Sequence, residues 1–316
     1  MTRENSGIIK LIYLCLIILL IVAYLVITSL NFKQVSSQAS AELKRLATIT
    51  PSITEIPNGL NSLGNTSTSQ PNSNVTSAES TSNITSNWAG YAAESGTFTS
   101  VTGSWIVPTV NESGDTSADA AWIGIGGISS DDLIQVGTQN IVTPDGQVQS
   151  SAFYELLPDT SQPLNEININ PGDSISASIN EVSSGQWTIS LVDNTNGQSF
   201  NQNVEYNSSL SSAEWIEEDP SDGTSEIPFD NFGSINFSGA LTTMNGKTEN
   251  LNGSNAKAIT MVNSDNQPLA ESSGISNDGV SFSVTRTNAS SSPAIAEYNQ
   301  NPFSWRWRGS GIGREF

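Results

Sequence analysis

The run Ala213-Glu214-Trp215-Ile216-Glu217-Glu218-Asp219 packs acids around a Trp in a chain that has no histidine. From Leu46 to Asn245 there is no Lys or Arg either. Proton transfer in the middle of this protein must therefore fall to carboxylates, amides and hydroxyls. An enzyme built here is a carboxylate enzyme. Read as a strand, the run places Glu214, Ile216 and Glu218 on one face and Trp215 and Glu217 on the other. Carboxylates so spaced cannot all be buried without compensation. One face must meet water, a groove or hydrogen-bond partners, and the plainest such arrangement is an edge strand with solvated acids.

Two further stretches carry polar groups among apolar ones. Ala121-Trp122-Ile123-Gly124-Ile125-Gly126-Gly127 leads to Leu133-Ile134-Gln135-Val136-Gly137, where the Gln135 amide must find partners or line a cavity. Ala152-Phe153-Tyr154-Glu155-Leu156-Leu157-Pro158-Asp159 sets another acid among aromatics, and Trp88 and Trp105 add apolar area.

The elements that must position these groups are strands. From Ser86 to Thr287, short alternating or β-branched runs are broken by Gly, Asp, Asn and Pro every 8–12 residues or so. The pattern predicts strands at 98–107, 119–125, 133–143, 148–156, 174–181, 186–193, 199–205, 214–218, 233–237, 258–262 and 280–286. Pro171-Gly172-Asp173, Asn196-Gly197 and Asn245-Gly246 mark turns. No long helical period follows residue 47. A stretch of roughly 200 residues suffices for one well-filled sandwich.

Outside this region the composition changes. Leu11 to Leu30 is almost wholly apolar and matches the roughly 20 residues that span a bilayer. It reads as an uncleaved signal-anchor, with cleavage near Ala39-Ser40-Ala41 as the lesser alternative. Basic residues flank it on both sides, so charge does not fix its orientation. Residues 31–85, rich in Ser, Thr, Asn and Pro, read as a stalk. N-x-S/T sequons at Asn65, Asn74, Asn83, Asn111, Asn207, Asn236, Asn252 and Asn288 favour an outside location as a set. Residues 288–316 read as a disordered tail, ahead of a membrane or partner contact through Trp305–Arg308.

Composition also excludes several chemistries. The only cysteine, Cys15, lies in the apolar segment, so the outer domain has no disulfide and no cysteine nucleophile. Without His or Cys a zinc site of the usual kind is ruled out, although a carboxylate calcium site stays open. No cofactor is called for. The formal charge of −20 makes nucleic acid a poor partner. In acid the carboxylates protonate, and from Ser86 to Thr287 only Lys247, Lys257 and Arg286 remain charged. Such a domain becomes nearly neutral where most proteins become strongly cationic, which suits work at low pH.

The ordered set of motifs resembles the glutamic peptidases, or eqolisins. Asn87-Trp88-Ala89-Gly90 and Gly103-Ser104-Trp105-Ile106-Val107-Pro108 match the family's opening. Trp122-Ile123-Gly124-Ile125, Leu133–Gly137, Tyr154–Asp159, Ala213–Asp219 and Phe232–Phe237 follow in its order. The resemblance implies an acid endopeptidase on a concanavalin-like sandwich of two curved antiparallel sheets, with a substrate groove on one face. It places the catalytic Gln at Gln135 and the catalytic Glu at Glu218, with Glu155 and Trp88 in supporting or groove-lining positions. Polypeptides are the implied substrates, and a monomer is expected. The sequence departs from the family pattern at Gly126 and Ser151, where an Asp is usual, and at Phe153, where a Trp is. It also lacks the family's disulfide.

Two rival readings remain at this level. One is a glycosylated cell-surface binding module that keeps Trp88, Trp105 and Trp122 as core. The other is a glycosidase working through two carboxylates such as Glu155 and Glu218.

Overall fold

The computed structural model describes residues 83–111, 116–221 and 227–290. Every regular element among them is a strand. In chain order these are β1 (Asn83–Thr85), β2 (Trp88–Glu94), β3 (Phe98–Ile106), β4 (Ser117–Gly126), β5 (Leu133–Val142) and β6 (Val148–Leu156). Then come β7 (Gln162–Pro163), β8 (Ser174–Ser183), β9 (Gln186–Asp193), β10 (Ser199–Glu205) and β11 (Ser212–Glu218). The last five are β12 (Ser234–Met244), β13 (Lys247–Asn250), β14 (Lys257–Val262), β15 (Pro268–Ser272) and β16 (Phe282–Arg286).

One hydrogen-bonded path runs β10-β9-β8-β3-β12-β16-β15-β14-β2-β11-β4-β5-β6-β7 and doubles over on itself. Its two halves enclose a single large core. Ile123, Val136 and Trp215 from one half meet Val101, Trp105, Ile179, Ile189 and Phe237 from the other. Indole N–H groups cross the interface: Trp105 Nε1 donates to Thr138 Oγ1 at 2.9 Å and Trp215 Nε1 to the Thr102 carbonyl at 2.7 Å. The sandwich inferred from strand number and length is thus present. Its two layers are continuous through β16, β15 and β14.

The layer that matters here is β14-β2-β11-β4-β5-β6, antiparallel throughout. Its inner face carries the core. A second apolar cluster of Trp88, Ala92, Ala120, Trp122, Leu133, Phe153, Ile216 and Ile259 occupies the outer face. Close packing of β2 on β11 depends on Gly90, where φ is 149° and a Cβ would stand 2.0 Å from the Trp215 carbonyl oxygen.

Several boundaries differ from the sequence reading. Asn83–Thr85, assigned above to the stalk, pairs in parallel with β14, so the folded domain begins earlier. β2, β7, β13 and β15 were not expected, because small or polar residues there obscure the alternation of a half-buried strand. The Asn245-Gly246 turn is present, with both residues at positive φ (53° and 78°). It closes a hairpin between β13 and the end of β12, which runs on to Met244 through polar residues. β11 is not an edge strand: it lies between β2 and β4, and all seven of its residues are buried. The apolar segment 11–30, most of the stalk and the Trp305–Arg308 run lie outside the described residues.

Candidate active site

Alternation along β11 sorts its acids by face. Ile216 joins the outer cluster and Trp215 the inner core, so Glu214 and Glu218 face outward and Glu217 inward. Cross-strand register then brings the candidate groups together. Glu218 pairs with Trp88 on β2 and Ala120 on β4, and Ala120 with Gln139 on β5. Gln135 pairs with Gly124 on β4 and Glu155 on β6. Gln135, Glu155 and Glu218 therefore share the outer face of one layer, with β4 and its Trp122 between the Gln and the Glu.

Glu218 is fully buried and held by two donors. Trp122 Nε1 donates to its Oε2 at 2.7 Å, and Asn87 Nδ2 to its Oε1 at 3.2 Å. Asn87 is fixed beside the end of β11 because its carbonyl accepts from the Asp219 N–H at 2.8 Å. The Trp88 ring meets the Trp122 ring edge-on at 4.9 Å between centroids, completing an aromatic wall. Burial drives the Glu218 pKa well above the ordinary carboxylate value. Trp88 and Trp122 pull it down in part, and the charges of Glu155 and Asp219 push it further up. The Trp88 contribution is that of a nearby dipole, since its Nε1 makes no hydrogen bond of ordinary geometry.

Gln135 is also fully buried. Its Nε2 donates to Glu155 Oε2 at 2.7 Å, while its Oε1 has no partner. A carboxylate acceptor selects the NH2 side of the amide, so Glu155 fixes which way Gln135 points. The second N–H of that NH2 stays uncommitted. No hydrogen bond joins Gln135 to Glu218. The open groove expected over the pair is not seen, because both side chains are wholly covered.

The departures at Gly126 and Ser151 have local consequences. Gly126 has a φ of 95° and a Cβ there would lie 2.5 Å from the Asp132 carbonyl oxygen, so the backbone is shaped for glycine. Ser151 Oγ on β6 accepts at 3.0 Å from Nε2 of Gln139, the β5 register partner of Ala120. A neutral amide–hydroxyl pair thus stands at the position of that departure. Phe153 packs in the outer cluster as an apolar residue. Sequence reasoning named Gln135, Glu155, Glu218 and Trp88, and all four lie on this face. It did not anticipate Asn87 or Trp122 as ligands of Glu218; both sat inside quoted motifs, but only the register joins them to it. Trp105 is in the inner core and away from the pair. Among the described residues no group of three or more acids is arranged to hold a metal.

The Peptidase A4 family model matches residues 86–286. Aspergillopepsin-2 of Aspergillus niger is 31% identical over 218 residues, which are 62% of this chain and 76% of that protein. Scytalidopepsin B of Scytalidium lignicola is 29% identical over 194 residues, 58% of this chain and 73% of the relative. The crystal structure of scytalido-glutamic peptidase with a transition state analog inhibitor superposes with a TM-score of 0.55 at 26% identity, covering 64% of this chain and 98% of that one. The chain therefore belongs to the Peptidase A4 family, the glutamic endopeptidases or eqolisins, and is a hydrolase.

Proposed function

We propose that this acid endopeptidase cleaves peptide bonds with Glu218 as the single proton-transferring group and Gln135 as the oxyanion donor. Ionised Glu218 takes a proton from the attacking water. The uncommitted Nε2–H of Gln135 stabilises the negative charge that develops on the carbonyl oxygen, and a neutral amide does so at any pH. Glu218, now a carboxylic acid, delivers its proton to the leaving amine. Asn87 and Trp122 hold the carboxylate; Glu155 holds the amide. The single observation that carries this reading is that Gln135 and Glu218 face the same way from one layer, each fixed by its own hydrogen-bond partner. Since both are buried, a peptide must part the covering side chains before it reacts.

The rivals are less well supported. Glu155 is engaged by Gln135, which takes the second carboxylate from a glycosidase built on Glu155 and Glu218. A binding module has no need for two fixed polar groups on the outer face. The experiment is hydrolysis of an unfolded protein by the full-length chain from about pH 2 to about pH 7. Activity confined to acid, and absent from folded Glu218→Gln and Gln135→Ala variants, is the expected result. A folded wild type inert at every pH overturns the reading.

The location follows as part of the same proposal. The apolar segment 11–30 anchors the chain, and the catalytic domain faces outward. The sequon residues Asn207, Asn236, Asn252 and Asn288 are exposed, as glycan acceptors must be. Carbonate-resistant membrane association and a glycosidase-sensitive gel shift test the two halves; a chain fully extracted by carbonate overturns the anchor.

A further inference from the structure

Behind Glu218, on the core side of the same strand, lies a second group of acids that the proposed chemistry does not use. Glu217 at the end of β11, Asp119 near the start of β4 and Asp230 after residue 227 are all buried. None of their six carboxyl oxygens has a hydrogen-bonding partner of ordinary geometry. They come from segments that are tied together. Ala118 N donates to the Pro228 carbonyl at 2.9 Å and Asp230 N to the Ala118 carbonyl at 3.2 Å. The β4–β11 ladder ends at the Glu218–Ala120 pair.

The groups facing this cluster supply little positive charge. From β5 comes the Asn140 amide, whose Oδ1 accepts from Ser150 Oγ at 2.6 Å. That bond turns the Asn140 NH2 toward Asp119, where it favours the ionised form. Asp219 follows β11 and adds another acid. From β16 comes Arg286, which favours ionised Asp230 from a distance. Its own hydrogen bonds go to the carbonyls of Asp230, Leu269, Thr287 and Ala289. One guanidinium thus acts on Asp219 and Asp230, and Glu218 lies on the other side of the sheet. Dry carboxylates without donors are costly, by several kcal/mol each, unless they are protonated and bond to one another.

We propose that Asp119, Glu217 and Asp230 form a proton-operated latch: protonated, they bond to one another across β4, β11 and the 227–230 segment, hold Glu218 in register, and so set the upper pH limit of activity. The proposal rests on the catalytic reading of Glu218 for its effect on rate, but not for its effect on stability. Burial is the largest cause raising all three pKa values, and the neighbouring acids push Glu217 and Asp230 up further. Asp119, drawn down in part by the neighbouring Glu217 and Asp230 carboxyls, is the acceptor of the trio. The sign follows from linkage. Folded-state pKa values above the unfolded ones give stability that is whole in acid, below the unfolded carboxyl values. It is lost as the pH rises through the folded ones. On loss of the protons the charges repel across the β4–β11 ladder, where Glu218 sits.

The test is the pH dependence of unfolding, followed by tryptophan fluorescence, and of kcat/KM, on the full-length chain and its Glu217→Gln and Asp230→Asn variants. Glutamine can still donate to Asp119 but cannot ionise. In Glu217→Gln the upper limbs of both profiles move to higher pH by on the order of one unit. Unchanged upper limbs in a folded variant overturn the latch. Should neither variant fold, the wild type decides, because its stability must fall steadily from about pH 4 to about pH 7. A stability that is flat or rises over that range overturns the proposal. Glu218→Gln separates the two ideas: if it remains active the catalytic reading fails, while the latch is still judged by unfolding alone.

Discussion

Glu217 and Glu218 are neighbours on one strand, equally buried, and opposite in what surrounds them. Glu218 on the outer face receives N–H bonds from Trp122 and Asn87. Glu217 on the inner face receives none from the protein and looks onto Asp119 and Asp230. Both pKa values lie well above the ordinary range for the same first cause, burial. What differs is the state each site is built for. Fixed donors give Glu218 a charged form that the fold tolerates, which a general base requires. Burial and the facing acids make the inner site favour the neutral form of Glu217. A two-residue backbone period therefore makes one strand serve a reaction on one side and a proton-dependent brace on the other.

The sharpest way to break this comparison is to neutralise each acid in turn. Glu218→Gln keeps an acceptor for Trp122 but has no proton to take or give. We expect kcat to fall by roughly 10²–10⁴-fold across the whole pH range with the fold intact by circular dichroism. Glu217→Gln should leave an enzyme that works in acid and shifts only its upper limit. If the two variants behave alike, the faces are not distinct. Gln135→Ala comes next, with an expected loss of about 10²–10³-fold in kcat and little change in KM, as for an oxyanion donor. A loss confined to KM points instead to a role in binding.

Glu155→Gln tests the partner rather than the reacting group. The replacement can hydrogen bond to Gln135 in either orientation, so the Gln135 amide is no longer forced to present its NH2. A fall in kcat of about 10-fold is expected, smaller than removal of Gln135 itself. An effect as large as that of Glu218→Gln places Glu155 among the reacting groups.

How much of this was readable beforehand follows from what is local. The alternation of Glu214, Ile216 and Glu218 against Trp215 and Glu217 is a property of one strand, and sequence alone gave it correctly. Gln135 and Glu155 stood out because each interrupts an apolar run, and they proved to be direct register partners. The latch was invisible because Asp119, Glu217 and Asp230 meet only through pairing between distant segments, each looking alone like an ordinary surface acid. Asn87 was missed for the same reason. The central place of β11 was misjudged because acid-rich strands are usually at edges. The donors and protons that make burial tolerable come from neighbouring strands and from pH. Short β13 and β15 escaped because Lys247–Asn250 and Pro268–Ser272 lack alternation.

The smallest change sharpens the comparison most finely. Trp122→Phe keeps the ring and its edge contact with Trp88 while removing the 2.7 Å bond to Glu218 Oε2. A donor to a carboxylate stabilises its charged form, so its loss raises the Glu218 pKa further. Glu218 must be ionised to activate water, and the lower limb of kcat/KM reports that ionisation in the free enzyme. That limb should move to higher pH by up to about one unit, the scale of one charge-assisted hydrogen bond. The upper limb, governed on the inner face by Asp119, Glu217 and Asp230, should stay where it is. The active window then narrows from below, whereas Glu217→Gln widens it from above. A Trp122→Phe variant that moves both limbs together means the two faces titrate as one system, and the division of labour along β11 would have to be given up.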